Sequence, residues 1–246
     1  MPNDYFQFQQ FRIEQGTCAM KVSTDACLLG AVVDLTGATR MLDIGTGTGL
    51  LALMAAQRHP TVKIEAVEID KAAAVQAKAN VAASPWAERI AVRALSLAQY
   101  AETQPLPFSH LVCNPPFFRQ SMPAADAARN TARHVSAASL SFEELAGFAA
   151  DFLLPEGSLT MLLPPPEMAR FERSAREAGL HLASRLVVRH RPGGRVTRHI
   201  CRFERAAATL KQEELLIHSD GGADYSEAFR ALLAGFYLAL QGRKAT

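Results

Sequence analysis

The chain has 246 residues, 49% of them hydrophobic and 20% charged, the composition of a folded protein with a sizeable core rather than a disordered one. No uninterrupted apolar run approaches the ~18–20 residues that span a bilayer, and the opening MPNDYFQFQQF lacks the basic and apolar regions of a secretory signal. A net charge of +2 is too small to identify a polyanion partner, and four dispersed cysteines (Cys18, Cys27, Cys113, Cys201) form no CxxC pair, which argues for free thiols in the cytoplasm.

Strand-like and helical stretches alternate from residue 39 onward. Strands are predicted over 39–44, 62–67, 90–95, 109–113 and 158–163, with helices over 50–58, 71–83 and 142–153. This βαβαβ rhythm implies an α/β fold, a mostly parallel sheet with helices on both faces. Beyond Pro164-Pro165-Pro166, a helix over 168–178 leads into two strands, 182–190 and 196–203. The turn Arg191-Pro192-Gly193-Gly194-Arg195 joins them as an antiparallel hairpin, and an amphipathic helix over 226–240 closes the chain. With no repeat and no long linker, residues 1–246 read as a single domain: a segment over 1–36, a core over 37–165 and a C-terminal half over 166–246.

Asp43-Ile44-Gly45-Thr46-Gly47-Thr48-Gly49 stands where the first of these strands turns into a helix. Glycines there allow positive φ and close approach of backbone to a ligand. A dinucleotide fingerprint would place its third glycine at position 50, which is Leu50, and no Lys-Ser/Thr pair marks a P-loop. Asp43 repels a pyrophosphate and suits a cationic ligand. The pattern resembles motif I of class I S-adenosylmethionine-dependent methyltransferases; the alternative is a glycine-rich turn without a ligand. Glu68, ending the second strand, is placed to accept hydrogen bonds from ribose hydroxyls, with Ile69 against an adenine ring. The other reading is that Glu68 and Asp70 only charge the start of the next helix. After the third strand, where such enzymes usually carry an acid, stands Ser96, followed by Leu97 with backbone groups able to serve instead.

The fourth strand ends in Cys113-Asn114-Pro115-Pro116-Phe117. A nucleobase amine is a poor nucleophile because its lone pair is delocalised into the ring. If the Asn114 side-chain oxygen and the Pro115 carbonyl each accept one N–H, charge developing on that nitrogen is stabilised. Consecutive prolines preorganise the acceptors, and Phe117 can stack on a flipped base. Taken alone the four residues also read as a turn. In this context they narrow the acceptor to adenine, cytosine, guanine or a glutamine amide.

Further segments carry a closer resemblance: Phe6-Gln7-Phe8-Gln9-Gln10-Phe11, the stretch from Ala19 to Gly30, Ser84-Pro85-Trp86, and the terminal Tyr225-Ser226-Glu227 with Phe236-Tyr237-Leu238. Together they resemble the bacterial tRNA(Val) adenine-37 N6-methyltransferases over nearly the whole chain. The resemblance implies a Rossmann-like class I fold with a seven-stranded sheet, S-adenosylmethionine as cofactor, and the adenine next to the anticodon as acceptor. It implies that Asp43, Gly45, Gly47, Gly49, Glu68, Ile69, Ser96, Leu97 and Asn114 hold the cofactor, that Thr24 and Asp25 close over it, and that Asn114, Pro115, Pro116 and Phe117 hold the base. By themselves Thr24 and Asp25 read as a helix N-cap and its neighbour. Three residues depart from the family pattern: Ser96 for an acid, His110 for an aspartate, and Phe117 for tyrosine.

Between Arg185 and Arg205 lie seven arginines and one acid, so the hairpin is a candidate for following a phosphate backbone through Arg191, Arg195 and Arg198. A second basic cluster, Arg119, Arg129, Arg133 and His134, follows the NPPF motif. The plainer alternative is a solvated edge hairpin. The anticodon arm of tRNA is the expected partner, with no metal and no membrane, and a monomer or weak homo-oligomer. Competing acceptors are a ribosomal-RNA guanine N2 and a protein glutamine N5; a nucleotide-binding module without catalysis has no use for the Asn-Pro-Pro sequence.

Overall fold

The computed structural model describes residues 4–18, 20–115, 140–221 and 224–240. Two short strands come first, β1 (Tyr5–Gln7) and β2 (Arg12–Glu14), paired antiparallel. Then follow α1 (Thr24–Val32), β3 (Arg40–Ile44), α2 (Leu50–Arg58), β4 (Lys63–Val67), α3 (Lys71–Ala82), β5 (Ile90–Arg93), α4 (Leu97–Glu102) and β6 (Phe108–Cys113). The second half comprises α5 (Phe142–Phe152), β7 (Leu153–Leu163), α6 (Pro165–Glu177), β8 (His181–Arg189), β9 (Val196–Glu204), β10 (Lys211–Leu216) and α7 (Glu227–Leu233).

The main sheet has the order β10-β8-β9-β7-β6-β3-β4-β5. It is parallel except around β9, which runs antiparallel to both β7 and β8. The expected class, including its antiparallel hairpin, is therefore present, but with eight strands rather than seven. The additional strand is β10. Its opening residues Lys211, Gln212, Glu213 and Glu214 are all exposed, a charged stretch with no strand periodicity, and only pairing to β8 makes it a sheet edge. Three more elements escape a reading by pattern. β1 and β2 are three residues each, and α4 is six residues set by a capping box in which Ser96 Oγ accepts from Gln99 N–H and Gln99 Oε1 from Ser96 N–H. The terminal helix is shorter than expected, because after α7 the backbone turns at Gly235 to meet the N-terminal segment, and only a 3₁₀ turn over Leu238–Leu240 follows.

Each face of the sheet carries its own core. Leu28 and Leu29 of α1, Leu53 and Met54 of α2, and Ala77 and Val81 of α3 pack on one side with α7. On the other, Tyr100 of α4, Leu145 and Phe148 of α5, and Met168 and Phe171 of α6 surround Leu111 and Leu159 of the sheet. α2 is apolar all round because it is enclosed between the sheet and its neighbouring helices; Leu50 to Ala56 are all buried.

The two ends of the chain clasp each other. Gln9 donates from Nε2 to the Ala234 and Tyr237 carbonyls (2.6 and 2.9 Å), and Phe8 stacks on Phe11 (4.5 Å) with Tyr237 beside it. Buried Asn80 then ties this clasp to the glycine loop. Its side chain accepts from Glu14 N–H and donates to the carbonyls of Glu14 and Thr48, each at 2.9 Å. Asn80→Ala is expected to strand these buried groups and to cost ~1–3 kcal/mol. A lower midpoint in urea at unchanged m-value is the signature; an unchanged midpoint would show that water replaces the amide.

Candidate active site at the switch point

β3 lies between β4 and β6, so the chain leaves it first to one side and later returns to the other. Doubly wound sheets bind ligands in the crevice this reversal opens beyond the strand ends. Register decides what meets there. Ile44 of β3 stands opposite Val67 of β4 and Cys113 of β6, and Val67 stands opposite Arg93 of β5. The next residue on each of the three inner strands is a candidate site residue: Gly45, Glu68 and Asn114. Neighbouring strands lie ~4.8 Å apart, so the three emerge side by side.

The glycine loop is held from below and from the side. Asp43 is fully buried, and its Oδ2 accepts from the Thr46 hydroxyl (2.6 Å) and the Ala52 N–H (3.2 Å). The N–H groups of Gly45 and Thr46 donate to the Val67 carbonyl (2.9 and 3.0 Å). Gly45, Gly47 and Gly49 all take positive φ (69°, 57° and 85°). A Cβ on Gly45 or Gly47 would meet nothing within 4 Å, which leaves their outer faces open, whereas one on Gly49 would touch Ala77 of α3 at 3.6 Å. The loop thus packs on α3 at one end and opens to the crevice at the other.

Glu68 accepts from Gly47 N–H through Oε2 and from Asp70 N–H through Oε1, both at 2.9 Å. Asp70 is the true cap of α3, accepting from Ala72 and Ala73 (2.7 and 3.1 Å). Each Glu68 oxygen keeps a lone pair, so bracing the loop does not prevent contact with a ligand hydroxyl. Beside Glu68 a cavity of about 480 Å³ runs between the strand ends and the helices α4 and α5. Gly45, Glu68, Ile69, Ser96 and Leu97 line it, and Leu95, Leu140 and Phe148 add apolar wall from segments no motif marked. Ile69 is 49% exposed at this wall.

Other candidates stand elsewhere. Asp43, Gly47, Gly49, Thr24, Asp25 and Asn114 are not in the cavity wall. Thr24 is the first residue of α1, whose cap is Ser23, and Asp25 is ion-paired with Arg198 of β9 (2.7 Å). Earlier in the chain, the Thr17 hydroxyl donates to Gln76 Oε1 of α3 (3.0 Å). Ser96 is occupied as the cap of α4. His110 lies three residues before the end of β6, buried away from the crevice, and burial holds its imidazole below the usual range. Asn114 and Pro115 follow β6 and are half-buried; Pro116, Phe117, Arg119, Arg129, Arg133 and His134 lie outside the described residues. Sequence reasoning missed Thr46 and Asn80; the TGTG spacing offered a signal for the first and nothing local for the second.

Most of the hairpin's charge is spent internally. Arg185 pairs with Glu172 (2.6 Å), Arg189 with Glu214, Arg198 with Asp25, and Arg202 with Asp34 and Glu204 (3.3 and 2.6 Å). Arg205 donates to the carbonyls of Ala150 and Leu153. Arg191 and Arg195, exposed at the turn, have no ion-pair partner among the described residues.

Comparison with known proteins bears on this geometry. Residues 18–162 match the family described as the methyltransferase small domain. A tRNA1(Val) (adenine(37)-N6)-methyltransferase of Bacteroides thetaiotaomicron is 43% identical over 242 residues, covering 98% of this chain and all of the relative. One from Phocaeicola vulgatus is 41% identical over 238 residues, covering 97% and 99%. In structure, a predicted O-methyltransferase from Agrobacterium tumefaciens superposes with a TM-score of 0.62 at 21% identity, covering 86% of this chain and 96% of that one.

Burial pushes the Asp43 carboxyl up to about 7, against the Thr46 and Ala52 hydrogen bonds and with the Glu68 charge adding to the rise. In the unfolded chain the carboxyl titrates near ~4, so the folded state binds the extra proton between those values. Its contribution to stability is complete below ~4 and is lost as pH rises through about 7. Unfolding midpoints of the ligand-free protein should therefore fall between about pH 5 and pH 8, and Asp43→Asn should flatten that fall. Parallel curves for the two proteins would assign the titration to another group. Sequence match, sheet order and the row of strand ends agree, and the chain belongs to the methyltransferase small-domain family, among the tRNA1(Val) (adenine(37)-N6)-methyltransferases.

Proposed function

We propose that this enzyme binds S-adenosylmethionine in the crevice beyond β3 and β4 and methylates the N6 amine of adenine 37, beside the anticodon of tRNA(Val), in the cytoplasm. The observation that carries the reading is the row in which Gly45, Glu68 and Asn114 leave adjacent strands at one level. The residues present fit the cofactor. Space stands open over Gly45 and Gly47, Glu68 keeps free lone pairs for ribose hydroxyls, and the exposed face of Ile69 offers an apolar wall for a base. When bound, S-adenosylmethionine supplies a methyl group on positively charged sulfur.

Asn114 and Pro115 supply the rest of the chemistry. The Asn114 side-chain oxygen and the Pro115 carbonyl each accept one N–H of the adenine amine and stabilise the positive charge that develops there. The amine lone pair is thereby withdrawn from conjugation with the ring and localised on nitrogen, and no general base is required before transfer. Pro115 fixes the backbone in advance, so the acceptors do not reorganise during the reaction. Phe117 stacks on the base once it has left its own stack.

Labelled cofactor incubated with unmodified tRNA, followed by nucleoside analysis, is expected to yield N6-methyladenosine. N2-methylguanosine, or label on protein, would overturn the acceptor assignment. Asn114→Ala should bind cofactor normally yet turn over about 10²–10³ slower, the cost of one preorganised contact at a transition state; turnover within a few-fold of wild type would remove Asn114 from the mechanism. Glu68→Ala should instead weaken cofactor binding by ~1.5–3 kcal/mol in calorimetry, and an unchanged dissociation constant would leave Glu68 as a brace for the loop.

A further inference from the structure

We infer that the tip of the β8–β9 hairpin forms, with the end of β10, a second RNA subsite that grips a backbone phosphate several nucleotides away from the methylated base. This rests on the RNA reading above and adds to it a place, a chemistry and a distance.

The place is a cavity of about 650 Å³ lined by His190, Arg191, Gly194, Arg195 and His218. Among the described residues no acid lines it. Arg191 and Arg195 form no ion pair among the described residues, and unlike Arg205 their guanidinium groups are not occupied by backbone carbonyls there. The Nδ1 of His218 is buried and has no hydrogen-bond partner among the described residues. The turn is rigid before any ligand arrives: Arg189 reaches back to the Gly194 carbonyl and across to Glu214, and Gly194 N–H donates to the Arg191 carbonyl (3.0 Å). The His218 N–H donates to the His190 carbonyl (2.9 Å), which locks the two halves of the site together.

The chemistry is that of a phosphodiester beside a base. Guanidinium forks recognise phosphate oxygens in pairs, and imidazoles add single donors. The His218 ring stacks on Tyr225 (5.3 Å, 23°), and Tyr225 on Phe229 (4.5 Å, 24°). Tyr225 nevertheless remains 38% exposed; its ring is already stacked on two neighbours, so it offers an edge and a hydroxyl, next to a cationic cavity, to the sugar or base that follows a bound phosphate.

The distance follows from register. Cys113, Met161, Cys201 and Arg185 form one row across β6, β7, β9 and β8. His190 stands five residues past that row on β8, whereas Asn114 stands one residue past it on β6. With ~3.3 Å per residue and three strand spacings of ~4.8 Å, the subsite lies roughly 20 Å from Asn114, toward the same C-terminal ends of the parallel strands. A single nucleotide does not bridge that span, so the subsite senses the RNA flanking the acceptor rather than the acceptor itself.

The test compares methylation and binding of three RNAs: full tRNA, the isolated anticodon arm, and a linear trinucleotide centred on the acceptor adenine. For the wild type, the arm should exceed the trinucleotide in affinity. In Arg191→Ala/Arg195→Ala the KM for tRNA and arm should rise tenfold or more, with kcat and cofactor affinity retained and the trinucleotide unaffected. The slope of log affinity against log salt should flatten by roughly 0.7–0.9 for each phosphate that the variant no longer neutralises. His218→Phe keeps the stack on Tyr225 but removes the ring nitrogens, and should raise the KM for the arm several-fold. Equal losses for arm and trinucleotide would reduce the turn to general electrostatic attraction, and no loss for either would overturn the subsite while the methylation reading stands. A wild-type protein that methylates no tRNA would overturn both.

Discussion

Everything at the crevice depends on the parallel register of β4, β3 and β6. Ile44 is held between Val67 and Cys113 by the ladder hydrogen bonds of a strand buried on both faces. A slip of one residue would reverse which side chains enter each core, and it would also separate Gly45, Glu68 and Asn114. The two cores of the sheet therefore protect the site's geometry. Below the row, Asp43 adds a local constraint. Its buried carboxyl gathers the Thr46 hydroxyl and the start of α2, so the loop's shape belongs to the fold before any ligand is present.

The flanking segments extend that constraint outward. Gln9 and Phe8 seize the residues after α7, Asn80 joins β2 to Thr48 of the glycine loop, and Asp25 at the start of α1 holds Arg198 of β9. The ends of the chain, the loop and the hairpin thus form one connected body. Segments remote in sequence from the glycine loop thus brace it from several sides.

Charge is distributed by the same logic. Half-exposed ion pairs contribute little stability each, ~0–1 kcal/mol, so the pairs of Arg185, Arg189, Arg198 and Arg202 matter more for orientation than for energy. They tie the hairpin strands of the sheet to α6, α1 and β10 and leave the remaining positive charge concentrated at the turn. A basic stretch of sequence becomes a pointed feature, tipped by the guanidinium groups of Arg191 and Arg195, which no ion pair among the described residues neutralises.

Strand and helix periodicities locate the core elements from β3 to β9 within a few residues, because those elements are buried and their apolar patterns record it. The glycine loop, Glu68 and Asn114-Pro115 stand out in the sequence for a related reason: each follows directly on the end of a buried strand. Short or polar elements leave no such record. β1 and β2 are too short for a period, β10 is charged because it is an edge, and α4 is a six-residue helix set by the Ser96–Gln99 capping box. Which residues end which strands is thus written in the local pattern of the chain. Which strand ends are neighbours, which arginines are already paired, and that Leu140 and Phe148 share a cavity with Glu68 emerge only on folding, because those facts depend on contacts between segments far apart in the chain.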